Sequence, residues 1–186
     1  LTLVLASRSP QRLAILRQLG VAFVQRPVDV VEEDTGVPRA VAGENALRKA
    51  VAAGALEGEV VLGVDTLVAT ELEIWGKPAN AEAARETLRR LAGRTHTVFS
   101  GVALLRADGA VQAATTATEV TFRAVDDEVI DWYVRSGEWE GRAGGYAIQG
   151  RGGALVERIA GDYLNVVGLP VATILGLWPG LLDLGS

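Results

Sequence analysis

The feature that most constrains this chain is a buried-strand pattern with an acid inside it. Residues 60–68 read Val-Val-Leu-Gly-Val-Asp-Thr-Leu-Val, apolar almost throughout and of strand length. The stretch runs on to Trp75, and a Gly76-Lys77-Pro78 turn follows at once. A strand of this composition packs on both faces, so Asp65 stands where a valine would pack better. Burying an unpaired carboxylate costs on the order of several kcal/mol, so such an acid is paired, metal-bound or chemically used. Lys77 can return toward it from the next turn. A tethered ion pair and an active-site acid are both open at this point.

Strands and helices alternate on either side. Residues 1–6 form an apolar strand, then Ser7-Arg8-Ser9-Pro10-Gln11-Arg12 leads into a helix with Leu13, Ile15, Leu16 and Leu19 at helical spacing. Ser9 suits the N-cap, Pro10 the first helical position, and Gly20 the stop. A strand, a serine-rich turn and a helix start in succession can hold an anion. Backbone N–H groups, the Ser7 and Ser9 hydroxyls and the Arg12 guanidinium could all face one phosphate. An ordinary cap with a solvated arginine is the plainer alternative. After a short strand at 21–24, Asp29, Glu32, Glu33 and Asp34 crowd one loop. Such a loop is solvated by default, and its functional reading is a Mg²⁺ or Mn²⁺ site built on carboxylate oxygen.

Gly36 and Pro38 precede an alanine-rich helix expected over 41–56, with Ala42, Ala46, Leu47, Ala50 and Ala53 as its packing face. Lys49, on the same helix, reads locally as a surface lysine or a site residue. Asn80 caps a helix through Leu91. The only histidine, His96, enters a strand at 98–105 and reads as structural; without a second His or a Cys, a zinc site lacks ligands. A hairpin turn at 107–109 leads to a strand at 116–123, and Asp126 caps a helix expected to bury Val129, Trp132 and Tyr133. Residues 141–153 hold six glycines together with Tyr146, Ile148, Gln149 and two arginines. A flexible linker rarely carries such side chains, so the stretch reads as a loop that meets a ligand with its backbone. Gln149 offers both a donor and an acceptor, which suits the edge of a nucleobase. A strand at 155–159 and a last apolar helix at 171–178 complete the chain.

At 186 residues, 49% hydrophobic and 22% charged, the chain has enough apolar residues for a real core, as one domain or two closely joined lobes. It has no cysteine, which removes disulfides, thiolate metal sites and cysteine nucleophiles. No run approaches a membrane span and no basic-then-apolar signal opens it, so a cytoplasmic enzyme is the expectation. A net charge of −5 argues against broad binding to nucleic acid. A small anionic ligand then needs basic residues that converge locally.

Taken together, these stretches resemble the Maf family of nucleoside triphosphate pyrophosphatases. The likeness rests on Leu-Ala-Ser-x-Ser-Pro-x-Arg at 5–12, Gly-x-Asp-Thr at 63–66 and Gly-Lys-Pro at 76–78. It continues with Leu-x-Gly-Arg-x-His-x-Val at 91–98, Ala-Gly-x-Tyr-x-Ile-Gln-Gly at 143–150 and Val-Gly-Leu-Pro at 167–170. The resemblance implies one Maf-like domain over 1–186 with an α/β fold similar to inosine triphosphate pyrophosphatases. That fold is a long mixed twisted sheet flanked by helices, with two lobes and a central cleft. It implies hydrolysis of a nucleoside triphosphate to the monophosphate and pyrophosphate, assisted by Mg²⁺ or Mn²⁺. By matching position, Asp65 would be the proton acceptor or a metal-side carboxylate, and Glu32 would assist the metal, with Glu33 adjacent to it. Arg12, Lys49 and Lys77 would hold the triphosphate, helped by Ser7.

Thr66 and Gln149 match the branch that resembles dTTP/UTP pyrophosphatases. Gln11 departs from it, since that branch commonly has Pro-Arg-Arg where this chain has Pro10-Gln11-Arg12, and the loss removes a bidentate cation. Two alternatives stand beside the pyrimidine reading. One is a broader house-cleaning pyrophosphatase on non-canonical purine triphosphates, and the other a non-catalytic nucleotide-binding regulator of cell division. The expected partner is the nucleoside triphosphate, with neither nucleic acid nor membrane, in an assembly compatible with a homodimer.

Overall fold

The computed structural model describes residues 1–70 and 73–185; Glu71 and Leu72, inside the 60–75 stretch, lie outside the described residues. The architecture is the expected mixed α/β sheet flanked by helices. Its strands are β1 (Thr2–Leu5), β2 (Phe23–Gln25), β3 (Glu59–Ala69), β4 (Ile74–Trp75), β5 (Thr95–Arg106), β6 (Val111–Phe122) and β7 (Val156–Ala160). They form one seven-stranded sheet in the order β2-β1-β3-β5-β6-β7, with β4 antiparallel on β3. β1 pairs in parallel with both β2 and β3, while β6 and β7 are antiparallel. The helices are α1 (Pro10–Gln18), α2 (Pro38–Ala53), α3 (Ala81–Leu91), α4 (Asp127–Val134), α5 (Tyr163–Val167) and α6 (Val171–Leu177).

The chain divides into two compact units, with boundaries inside β3, β5 and β6. The first unit comprises Leu1–Thr66, Ser100–Thr116 and Gly168–Ser186. Its core places the alanines of α2 on the sheet: Ala46 and Ala50 pack with Val4, Ala6, Val61 and Ala103. Three expectations for α2 change, the first being its end, which falls at Ala53 before Gly54 (φ 62°) and not at 56. The helix begins at Pro38, because proline there occupies the first helical turn rather than breaking the chain. Leu47 is 36% exposed instead of packed, since the buried face follows Ala42, Ala46 and Ala50 at four-residue spacing.

The second unit, Leu67–Phe99 with Ala117–Val167, has its own apolar core, in which Leu88, Leu91, Phe122, Ile130 and Tyr133 are almost fully buried. Caps expected from the sequence are present. Asn80 accepts from the Ala83 N–H at 2.9 Å, and Asp126 from the Val129 N–H at 3.0 Å. Along α4, Ile130, Tyr133 and Val134 turn inward, while Trp132 is 41% exposed and lies under the Arg151 guanidinium. The expected burial of Trp132 is thereby corrected.

His96 belongs to this core. It is 1% exposed, its Nε2 meets the Tyr146 hydroxyl at 2.8 Å, and its ring stands edge-on to Phe122 and Tyr146. Burial lowers its pKa from 6.5 to about 4, so the folded protein holds the imidazole neutral. Between pH 6.5 and 4 the unfolded chain takes up a proton that the folded chain refuses. Stability therefore falls as pH falls across that window. Urea unfolding at pH 7 and pH 4.5 should show the wild type losing about 2 kcal/mol more than His96→Gln on acidification. Parallel losses in the two proteins would contradict the assignment.

Candidate active site

The site grows from an unusually close approach of helix to sheet in the first unit. A Cβ built on Gly63 of β3 would lie 2.1 Å from the Ala46 carbonyl oxygen. One built on Gly101 of β5 would lie 2.1 Å from the Ala42 carbonyl oxygen. Real Cβ atoms do not come that near, so α2 rests its backbone on two strands at places where only glycine fits. Residues two apart on a strand share a face, so Gly63 and Asp65 both face α2. Asn45 and Lys49, one turn apart on that helix, meet Asp65 there.

Lys49 Nζ lies 2.7 Å from Asp65 Oδ1 and 2.7 Å from Glu32 Oε1. Asn45 Nδ2 donates to the other Asp65 oxygen at 3.1 Å. Asp65 is 6% exposed and Lys49 9%, whereas the Glu32 side chain is 45% exposed on the loop before α2. The partner of the buried acid is therefore Lys49, and an Asp65–Lys77 tether is replaced by a pair formed across helix and strand. Among the described residues, no third His, Cys, Asp or Glu joins the two carboxylates as a metal cluster.

A second group stands beside the turn after β1. Arg12, 8% exposed, donates from Nη1 to Ser7 Oγ at 2.9 Å, from Nη2 to Thr66 Oγ1 at 3.2 Å, and from Nε to the Gly168 carbonyl at 2.9 Å. Ser7 Oγ also accepts the Ser9 N–H at 3.2 Å. Burial holds the guanidinium below its ordinary pKa, opposed by the charges of Asp65 and Glu32. Thr66 shares a 2.9 Å hydrogen bond with Ser100, a residue the sequence did not single out. Ser9 sits at the N-cap of α1 but makes no side-chain cap. Its hydroxyl donates instead to Gln11 Oε1 at 2.8 Å. Arg12, Ser7 and Thr66 thus form one hydrogen-bonded set, and Arg12 feels the field of Asp65 and Glu32.

Lys77 and Gln149 belong to the second unit, and both are exposed. Lys77 makes no ion pair among the described residues; Gln149 follows the Tyr146-Ala147-Ile148 segment in a turn. Asn45 was missed by sequence reading. An asparagine inside an alanine-rich helix carries no signal of burial, and only its low helix propensity marks it as unusual there.

Comparison with known proteins adds a separate line of observation. A family model described as Maf-like protein matches residues 2–178. A dTTP/UTP pyrophosphatase of Anaeromyxobacter dehalogenans is 47% identical over 174 residues, covering 91% of this chain and 89% of that protein. A dTTP/UTP pyrophosphatase of Symbiobacterium thermophilum is 45% identical over 172 residues, covering 91% of this chain and 88% of its own. Among solved structures, a HAM1 protein from Coxiella burnetii is similar over 66% of this chain and 73% of that one. It is 22% identical, with a TM-score of 0.49.

The approach of α2 to β3 can be tested apart from any activity. Gly63→Ala should lower the stability to urea by about 3 kcal/mol, because a backbone carbonyl must move to admit the methyl. Gly176→Ala, where nothing lies within 4 Å, serves as the control and should not destabilise. Equal effects of the two substitutions would show that the close packing is not a constraint.

Proposed function

The chain belongs to the Maf family, and from that premise we propose that it hydrolyses dTTP and UTP to the nucleoside monophosphate and pyrophosphate. The observation that carries the reading is the meeting of Asp65 and Glu32 on Lys49, beside an Arg12 already oriented by Ser7 and Thr66. A triphosphate brings several negative charges to a chain whose net charge is −5, so its binding depends on local cations. Arg12 and Lys49 supply them in the first unit, and Ser7 adds a hydroxyl contact. Lys77, Gln11, Thr66 and Gln149 enter this reading through their motifs: Lys77 as a further phosphate ligand, the other three as residues that set preference for the base.

In the reaction, the oxygen of a water molecule forms a bond to the α-phosphorus as the bond from that phosphorus to the bridging β-phosphate oxygen breaks. Asp65 accepts the water's proton, and Lys49 and Arg12 stabilise negative charge on the phosphates as pyrophosphate leaves. Lys49 also holds Asp65 Oδ1, so the carboxylate is oriented before substrate arrives. No covalent intermediate on the protein is required.

The donor set also fits a divalent ion. Two carboxylates from different elements converge on one positive charge, and no third acid joins them among the described residues. That is the set expected of Mg²⁺ or Mn²⁺ whose remaining ligands are water and phosphate oxygens. Glu32 and Asp65 would hold it, and it would supply charge neutralisation and a more acidic water. The reading takes the enzyme to be cytoplasmic, with the nucleoside triphosphate as its partner and neither nucleic acid nor membrane, and it is compatible with a homodimer. No helix among the described residues is long and apolar enough to cross a membrane.

A panel of pyrimidine and purine triphosphates, including ITP and 7-methyl-GTP, assayed for pyrophosphate release tests this reading. dTTP and UTP should lead, with monophosphate and pyrophosphate formed in equal amounts. Asp65→Asn should retain the far-UV spectrum and lower kcat by about 10²- to 10⁴-fold. A variant that turns over at the wild-type rate would reject the role of Asp65, and dominance of ITP would reject the pyrimidine preference.

A further inference from the structure

The loop that carries Glu32 has no regular structure between β2 and α2, and its residues 31–36 are exposed. An acid on such a loop would ordinarily sample many positions, yet Glu32 sits 2.7 Å from Lys49 Nζ. One turn of α2 accounts for this. Arg48 donates to Glu33 Oε1 at 2.9 Å and to the Val31 carbonyl at 3.3 Å, both from the exposed side. The buried contribution comes from Asn45, 1% exposed. Its Oδ1 accepts the Glu33 N–H at 2.8 Å and its Nδ2 donates to the Glu33 carbonyl at 2.9 Å. The amide thus closes a ring of two hydrogen bonds with the backbone of the residue next to Glu32.

A loop anchor would need only that pair. The other hydrogen of the same Nδ2 goes to Asp65 Oδ2 at 3.1 Å. With Lys49 on Oδ1, this fixes the carboxylate from both oxygens. All three hydrogen-bonding positions of the Asn45 side chain used here are committed, one to accept and two to donate. No other side chain type of this size offers an acceptor and two donors.

We propose that Asn45 is a positioning residue that locks the acidic loop to Asp65, so that Glu32 and Asp65 are presented to Lys49 as one unit. The proposal rests on the hydrolase reading for its effect on turnover. Its effect on the loop stands on the hydrogen bonds alone. Removing the amide leaves a backbone N–H, a backbone carbonyl and one carboxylate oxygen without their partner, and separates the placement of Glu32 from that of Asp65.

The test is a cycle of wild type, Asn45→Ala, Glu32→Gln and the double variant, with UTP kinetics and thermal midpoints for each. Asn45→Ala should lower kcat by about 100-fold with KM nearly unchanged, the signature of misplacement rather than lost binding. The double variant should lose clearly less than the product of the two single losses, since Asn45 acts on Glu32 as well as on Asp65. Losses that multiply, or an unchanged kcat in Asn45→Ala, overturn the proposal. Should Asn45→Ala not fold, Asn45→Leu keeps the approximate shape while deleting the acceptor and both donors without adding a charge beside Asp65. It should show the same loss of kcat, and a wild-type rate overturns the proposal. If the wild type releases pyrophosphate from no triphosphate, the hydrolase reading fails separately, and the midpoints still decide the positioning. Glu32→Gln should then shift the midpoint in the wild-type background and shift it clearly less in the Asn45→Ala background. Equal shifts overturn the proposal.

Discussion

The ion pair between Lys49 and Asp65 is the contact on which the rest of the first unit's chemistry depends, and it exists because α2 touches the sheet. A side chain at 63 or 101 would hold the helix away by the width of a methyl or more. Lys49 would then have to reach farther for Asp65, and Asn45 has no length to spare. The alanines at 42, 46 and 50 are the other half of this fit, because larger residues would undo what the glycines allow. A backbone constraint of small residues thereby becomes an electrostatic one. Asp65 is accommodated inside a strand because an ammonium and an amide are delivered to its two oxygens.

Charge around this pair is balanced before any ligand arrives. Asp65 and Glu32 face Lys49 directly, and Arg12 is pulled toward its charged form by both acids against the cost of its own burial. Arg12 commits three N–H groups to Ser7, Thr66 and Gly168, so its direction is set by the protein. On the proposed reading, such a site spends little on reorganisation when a triphosphate binds, which is where preorganised dipoles and cations are most effective. Asn45 extends the same logic to the exposed loop. It ties a mobile class of element to a rigid one through a single amide.

Much of the fold was legible because its signals are local. The apolar run 60–68, the caps Asn80 and Asp126, and the turn at Gly109 depend on neighbours in sequence. Asp65 stood out for the same reason, as an acid among valines and leucines. What was not legible depends on where elements meet. Lys49 and Leu47 lie on one alanine-rich helix, and which of them turns inward is decided by the register of α2 over Gly63 and Gly101. The lysine is buried and the leucine exposed, the reverse of what hydrophobicity suggests. Trp132 gave the same difficulty on α4, and the five-residue α5 was too short for any periodicity to show. Asn45 and Ser100 carry no local mark of their burial.

The central claim is that this cluster directs water to the α-phosphorus of a nucleoside triphosphate. Hydrolysis of UTP by the wild-type protein in ¹⁸O-water, with the products separated and weighed by mass spectrometry, tests it most directly. Attack at the α-phosphorus predicts one ¹⁸O atom in UMP and none in pyrophosphate. Label in the pyrophosphate, or release of UDP and phosphate in its place, would contradict the account.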